Sequence, residues 1–441
     1  MDREAHIVVV GGGAGGLELA IRLAKQRGPS RHRVTLIDRN PSHLWKPRLH
    51  EIAAGLLVPA DEELSFAEQA SEHGFTFVLG ELNTIDPEQK VIVVGPVQAP
   101  DARIGLAGGA LLPQREFSYD LAVLAIGSTI NDFGTPGVRE HCYTLDSPAG
   151  ANQLHEALRA LAARVADGRC HRIRIVIVGA GTTGVELAAE LRSVAQHQPE
   201  FVSLITPDQM HVAIVEMAER PLPAGAAATS DYARHMLSGS DVEMHFGAKV
   251  TRVDPGRVEL ADGSSLRADA VVWASGIRGP DIVQSIPGLA VERGNRIRVN
   301  EDLNAVGLDG LPVDGLFCIG DCAACYEPGA SAPTPATAQA AHQQAKLLAA
   351  SLRGFLQNRP LLAFRYRYRG TLVSLGASRA VGDVPLTGDN SLRISGVGAK
   401  VAYNARHQSH LAVCVGWWRT AMLAMAGLLR RQAGPKVKLR W

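Results

Sequence analysis

The sequence has no run of about 18 uncharged apolar residues, so nothing in it reads as a membrane-spanning helix. Its first residues, MDREAHIVVVGGG, do not read as a signal peptide: two acids come early, and glycine ends an apolar run of four. A presequence rich in Arg and Ser is missing too. Cysteine is scarce, with six in 441 residues and none before Cys142. That usage excludes a disulfide framework in a chain this long and fits a reducing compartment. No second Cys/His pair at ligand spacing follows Cys322-x-x-Cys325, so no metal site is expected. Charge nearly cancels, 45 Lys plus Arg against 44 Asp plus Glu, which gives no ground for a nucleic-acid partner. Acid is missing from one region: residues 391–441 hold nine Lys/Arg and no Asp or Glu. An acidic body with a basic tail is the pattern of a surface-binding segment. Aromatic residues are only 5%, yet Trp417, Trp418 and Trp441, three of the five tryptophans, lie in that tail.

Glycine, by contrast, is abundant and clustered. Gly11, Gly13 and Gly16 follow the apolar run IVVV at 7–10 and precede a helical pattern. In such a G-x-G-x-x-G loop the first glycine makes the turn, the second admits a pyrophosphate, and the third lets helix and strand pack closely. The helix N-terminus then faces the phosphates. Asp38, 22 residues after Gly16, ends the next strand, where an acid meets a ribose hydroxyl. The pattern recurs at Gly179, Gly181 and Gly184, with Glu216 as the acid. Glu216 comes 32 residues after Gly184, and an insertion containing Pro199 and Pro207 accounts for the longer gap. An acid here, not an Arg, favours NADH over NADPH. Two cradles imply two dinucleotides, and FAD with NADH is the economical pair. A third element, Ile319-Gly320-Asp321, ends a strand and can set a carboxylate on the sugar-alcohol chain of a flavin, ahead of a helix from about residue 337.

The motifs GGGAGGLELA (11–20), VTLIDRNPSHLWKPRLHEIAAG (34–55), LAIGSTINDFGTPGV (124–138), VGAGTTGVELAAEL (178–191), VVWASGI (271–277), IGDCAAC (319–325) and AQAAHQQA (338–345) resemble the two-dinucleotide flavoproteins. The closer resemblance is to type II NADH dehydrogenase, the single-chain NADH:quinone oxidoreductase. HLWKP and AQAAHQ are its specific parts; WASG stands where WAAG is usual. The resemblance implies an α/β fold of two Rossmann-like domains plus a C-terminal amphipathic membrane-binding segment. It implies a first part of the FAD domain at 1–148, an NADH domain at 149–273, the second FAD part at 274–385 and the membrane region at 386–441. Non-covalent FAD would be held by Gly11, Gly13, Gly16, Asp38, Lys46, Gly127, Asp321 and Ala338. The substrate NADH would be held by Gly179, Gly181, Gly184, Glu216 and Gly276. Glu186 would lie near the nicotinamide and flavin edge. Gln339 and Gln343, four apart on one helix face, could hydrogen-bond a quinone carbonyl without fixed charge. The implied setting is a bacterial respiratory chain without proton pumping, peripheral on the cytoplasmic side of the plasma membrane, with a homodimer possible.

Within the tail, 411–429 reads as one helix with a broad apolar face of Leu411, Val415, Trp418, Met422, Met425 and Leu429. Arg419 at its middle would cost a spanning helix about 2.5–3.5 kcal/mol, so an interfacial helix fits better. Arg430, Arg431, Lys436, Lys438 and Arg440 would then meet anionic lipid. His407 and His410 read as interfacial, and Cys322 and Cys325 as packed, unpaired thiols. Two rival readings stand: a sulfide:quinone oxidoreductase, which needs cysteines flanking the flavin, and an NAD(H)-sensing flavoprotein.

Overall fold

A computed structural model describes residues 4–25, 32–99, 110–385 and 391–432, with side chains as far as residue 426. Strand β1 (Ala5–Val10) and helix α1 (Ala14–Ala24) are followed by β2 (His32–Asp38), α2 (Leu49–Ala53), β3 (Thr76–Leu79) and β4 (Leu121–Leu124). A second unit runs through β5 (Ile173–Val178), α3 (Thr182–His197), β6 (Met210–Val215), β7 (Val242–His245) and β8 (Ala270–Trp273). The chain returns through β9 (Pro312–Cys318) and α4 (Ala338–Phe355). It continues through β10 (Thr371–Ser374), β11 (Ala380–Pro385), β12 (Ser391–Gly396), α5 (Val397–Val415) and α6 (Trp417–Gln432).

In the first unit β3, β2, β1, β4 and β9 lie side by side and parallel. Such a sheet is covered on both faces, so its strands are apolar throughout and do not alternate. Ile7, Val8 and Val9 are accordingly fully buried. In the second unit Cys142–Thr144, β8, β5, β6 and β7 repeat the arrangement. Because β9 pairs with β4, the first unit is assembled from two separated stretches of chain, with the second inserted between them. Helix α4 begins where expected, and Thr337 caps it by accepting from the Ala340 N–H at 3.2 Å.

The C-terminal region departs from expectation in three ways. The division at 385/386 falls between β11 and β12, which with β10 form one antiparallel sheet. Val373, Leu375 and Val381 of and beside that sheet share a core with Leu187 and Leu191 of α3, so it packs on the second unit. Second, the helix expected over 411–429 is broken. Gly416, at φ +84°, ends α5 before α6 begins. Third, His407 and His410 are buried. With Cys414 they occupy one face of α5, by the three- and four-residue spacing of a helix, and that face docks on the first unit. The His410 Nε2 lies 3.0 Å from His43 Nε2, and the Trp45 ring stacks on His410 at 4.1 Å. His43 in turn holds the Gly12 carbonyl through Nδ1 at 2.8 Å. His407 Nδ1 lies 3.4 Å from the Arg48 guanidinium.

Helix α6 leaves Trp417, Trp418, Met422, Leu423 and Met425 exposed, and Arg419 pairs with Glu72 at 2.7 Å. The side chains of Leu429, Arg430 and Arg431, and all of Lys436, Lys438, Arg440 and Trp441, lie outside the described residues. Among the described residues no helix is long and apolar enough to cross a membrane.

The histidine contact sets a pH dependence. Two ring nitrogens 3.0 Å apart share one proton, so charging both rings breaks the contact. Burial lowers the pKa of His43 and His410, and lowers that of His407 to about 4 from 6.5. A base with a lowered folded pKa contributes stability that is full above its unfolded value and is lost as pH falls toward the folded one. We therefore expect His410→Phe to be less stable than wild type at neutral pH, by about 1 kcal/mol for the lost hydrogen bond. The gap in thermal midpoint should close as pH is lowered from about 7 to 5. A gap that stays constant with pH would contradict the assignment.

Candidate active site

Each cradle is built from three glycines with different physical reasons. Gly11 and Gly179 sit at φ +101° and +108°, a conformation that L side chains resist. A Cβ on Gly16 would lie 1.8 Å from the Gly11 carbonyl oxygen, and one on Gly184 would lie 1.9 Å from that of Gly179. Backbone packing demands glycine there. At Gly13 and Gly181 a Cβ would meet nothing within 4 Å. The protein itself leaves that space open, directly at the N-termini of α1 and α3, which no side chain caps. A pyrophosphate fits such a place, since it satisfies free N–H donors and the positive helix end.

The acids that follow share one geometry. Asp38 Oδ2 accepts from Gly12 N–H at 2.6 Å, and Glu216 Oε2 accepts from Ala180 N–H at 2.7 Å. Each carboxylate thus fixes the residue after the first glycine of its own loop. Glu216 is therefore the counterpart of Asp38, despite its longer spacing. The helix Pro199–Val202 and the turn Pro207–Gln209 take up the extra residues.

The first cradle gathers the remaining FAD candidates. Asp321 lies in the turn Gly320–Cys322 that follows β9, and its Oδ2 accepts from Ser128 Oγ at 2.8 Å. Gly127, at φ +70°, has open space where a Cβ would be, and Ala338 opens α4. Lys46 is exposed to solvent but crowded by protein. Loss of hydration lowers its pKa, against the pull of the Asp321, Asp146 and Asp38 carboxylates. Gln344, buried on α4, accepts from Gly320 N–H at 2.7 Å and so anchors the turn from below. The sequence reading missed it; its position one residue beyond Gln343 is the only local hint. Gly276 packs against Phe133 near the paired strands Thr129–Ile130 and Ile277–Arg278, which connect the two units.

Gln339 and Gln343 point at protein. Gln339 Nε2 donates to the Gly370 carbonyl at 3.2 Å, and its Oε1 accepts from Arg369 N–H at 2.8 Å and Tyr366 O–H at 3.1 Å. Gln343 Nε2 donates to the Arg367 carbonyl at 2.9 Å, and its Oε1 accepts from the Arg367 N–H at 3.0 Å. Residues 365–370 have no strand partner, and these two amides serve as one. A quinone carbonyl reaching either amide competes with that strap.

Glu186 is buried on α3, where its Oε1 accepts from Ser374 N–H at 2.9 Å and its Oε2 lies 3.4 Å from His50 Nδ1. Around it stand Glu190, Glu51, Tyr403 and Lys400. Lys400 Nζ donates to Ser374 Oγ at 2.6 Å and lies 3.5 Å from Glu190. The network joins α2, α3, β10 and α5, and only Glu186 of it was singled out from sequence. Burial pushes the Glu186 carboxyl well above 4.5, against the Ser374 N–H and Lys400, and pushes His50 down to about 4, so burial opposes charge on both. A carboxyl with a raised folded pKa contributes stability that is full below its unfolded value and is lost as pH rises through the folded one. Glu186→Gln copies the neutral form. Its thermal midpoint should therefore gain on wild type between about pH 5 and 8. Parallel curves for the two proteins would mean that Glu186 is ionised in the fold.

Comparison with known proteins agrees with this geometry. The sequence profile of the pyridine nucleotide-disulphide oxidoreductases matches residues 5–345. A type II NADH:quinone oxidoreductase of Haemophilus influenzae is 35% identical, covering 98% of this chain and 99% of its own. One from Staphylococcus saprophyticus is 30% identical over 87% of this chain and 90% of its own. NDH2 from Plasmodium falciparum in complex with NADH superposes with a TM-score of 0.77 at 16% identity, over 95% of this chain and 98% of that one. A sulfide:quinone oxidoreductase from Aquifex aeolicus shares the fold at a TM-score of 0.73 and 18% identity, over 93% of this chain and 92% of that one. The chain is therefore a member of the type II NADH:quinone oxidoreductases, within the pyridine nucleotide-disulphide oxidoreductase family.

Proposed function

We propose that this chain oxidises NADH and reduces a membrane quinone, with non-covalent FAD in the first cradle and NADH in the second. The observation that carries the reading is the pair of open glycine positions, Gly13 and Gly181, each at an uncapped helix end beside a carboxylate-fixed loop. FAD, when bound, supplies the electron relay, accepting hydride from NADH and delivering two electrons to quinone. The chain's own residues bind and orient. Asp38 and Glu216 offer carboxylates to the ribose hydroxyls, and the second repels a 2′-phosphate, which selects NADH. Asp321, Ser128, Gly127, Lys46 and Ala338 surround the flavin side of the first cradle. Gly276 shapes the edge of the NADH side. Glu186, whose ionisation burial opposes, places its carboxyl between the units. Gln339 and Gln343 hold the 365–370 strap beside the acceptor's approach.

Attachment to lipid belongs to the same proposal. The exposed Trp417, Trp418, Met422, Leu423 and Met425 of α6 supply an apolar surface, with the acid-free basic tail beside it. The apolar part contributes about 25 cal/mol per Å² buried and resists salt. The basic part contributes about 1 kcal/mol per Lys/Arg and is screened by it. The reading is of a peripheral protein on the cytoplasmic leaflet.

Four variants test it. Gly13→Val should fold yet purify without FAD, because its side chain fills the open space alone. Gly181→Val should stay yellow but lose flavin reduction by NADH. A Gly13→Val protein with stoichiometric FAD removes the first assignment. In stopped flow, Gln343→Leu should slow reoxidation by quinone and spare reduction by NADH; equal damage to both halves would assign the strap to the flavin instead. Truncation after Gly416, which spares the docked α5, should weaken sedimentation with anionic vesicles and lower the rate with long-chain quinone. A truncated protein with full long-chain activity would remove the tail from the mechanism.

A further inference from the structure

We propose that Cys318 and Cys322 form a redox-sensitive dithiol, closed to a disulfide by hydroperoxide, directly under the Gly320–Asp321 turn. The consequence drawn for cofactor retention rests on placing that turn at the flavin. Cys318 ends β9 and Cys322 ends the turn that follows. Their sulfurs lie 3.4 Å apart, and both residues are fully buried. The motif Cys322-x-x-Cys325 suggests another pairing, but Cys325 Sγ faces the Asn300 carbonyl at 3.9 Å. All six cysteines are free thiols. The pair is thus created by the strand-to-turn geometry, and its two members lie on either side of Asp321.

The two thiols are not equivalent. The contact with Cys318 and the backbone N–H groups of Gly127 and Ile126 lower the pKa of Cys322, against burial and the Asp321 carboxylate, while burial raises that of Cys318; Cys322 Sγ also lies 3.3 Å from the Ile319 carbonyl. One sulfur is therefore a nucleophile and the other a resolving thiol. The Cys322 thiolate attacks one oxygen of hydrogen peroxide, breaks the O–O bond and releases hydroxide. The resulting sulfenic acid is attacked by Cys318, whose proton leaves with the second oxygen as water. In net terms two thiols and one peroxide give one disulfide and two waters, with two electrons passing from sulfur to peroxide. Bulky disulfides cannot reach sulfurs buried this deeply, whereas hydrogen peroxide is little larger than water. Electrons from NADH that reach dioxygen instead of quinone supply it. Closing a 3.4 Å contact to a bond of about 2 Å draws the ends of the turn together. That displaces the Asp321 carboxylate from Ser128 and loosens the flavin.

The test uses the full-length, FAD-loaded protein. It is exposed to hydrogen peroxide, quenched with catalase, denatured in N-ethylmaleimide and mapped by mass spectrometry, and free FAD is measured in the filtrate. Adducts should fall from six to four, with residues 318 and 322 on one peptide that is about 2 Da lighter. Dithiothreitol should restore all six, and FAD in the filtrate should rise several-fold only in the oxidised sample. Cys318→Ala should convert the disulfide into an over-oxidised Cys322, and Cys325→Ala should still form the 318–322 bond, its adducts falling from five to three. Should Cys318→Ala fail to fold, Cys322→Ser, which removes the attacking sulfur, should leave Cys318 reduced and form no disulfide, and the wild-type peptide map decides by itself. Six adducts after peroxide, or a bond between 322 and 325, would overturn the proposal. A 318–322 disulfide with unchanged FAD retention would uphold the dithiol and contradict the placing of Asp321 at the flavin.

Discussion

Everything in this molecule depends on a carboxylate at the end of a second strand gripping the backbone of a glycine loop. Asp38 does this to Gly12, and Glu216 does it to Ala180. A loop of glycines loses more conformational entropy on folding than any other segment. A short charge-assisted hydrogen bond offsets part of that cost and fixes where the helix N-terminus points. The other oxygen of each acid accepts from the backbone two residues on, at Asn40 and at Ala218, so each carboxylate also fixes the turn that follows its own strand.

The two units are coupled through polar burial as well as apolar packing. Glu186 on α3 meets His50 of α2 and the Ser374 backbone of β10, and Lys400 of α5 closes the cluster. Farther along α5, His410 reaches His43, whose other nitrogen holds the Gly12 carbonyl of the first cradle. One C-terminal helix therefore touches both the inter-unit network and the support of the first glycine loop. Burial of these polar groups is tolerated because they are hydrogen-bonded to one another and to backbone. The helix that follows leaves its tryptophans in solvent, so the body and the exposed surface are joined by a single break at Gly416.

The cradles were legible in sequence because their constraints are local. Each glycine, strand and acid falls within about one βαβ unit, and the periodicity switches from strand to helix where it should. Glu216 was found at an unusual distance because its position at a strand end mattered more than its count. The helix starting near residue 337 was legible for the same reason, although its cap at Thr337 came only with the structure. The docking of α5 was not legible. His43 and His410 are 367 residues apart, and a basic, histidine-bearing stretch with no acids reads as a surface from composition alone. The Cys318–Cys322 contact was hidden by a more familiar spacing, Cys322-x-x-Cys325, that the turn does not use. Gln339 and Gln343 were placed on one face correctly, but their bonds to the 365–370 backbone depend on a strap whose sequence carries no strand pattern.

The central claim is that one bound flavin links NADH to quinone on this chain. Anaerobic titration of the purified protein with NADH, followed in the visible spectrum, tests it most directly. The account predicts a yellow protein whose flavin bands bleach with one equivalent of NADH per flavin and return when quinone is added. A protein that binds flavin but keeps its oxidised spectrum in excess NADH would contradict the account.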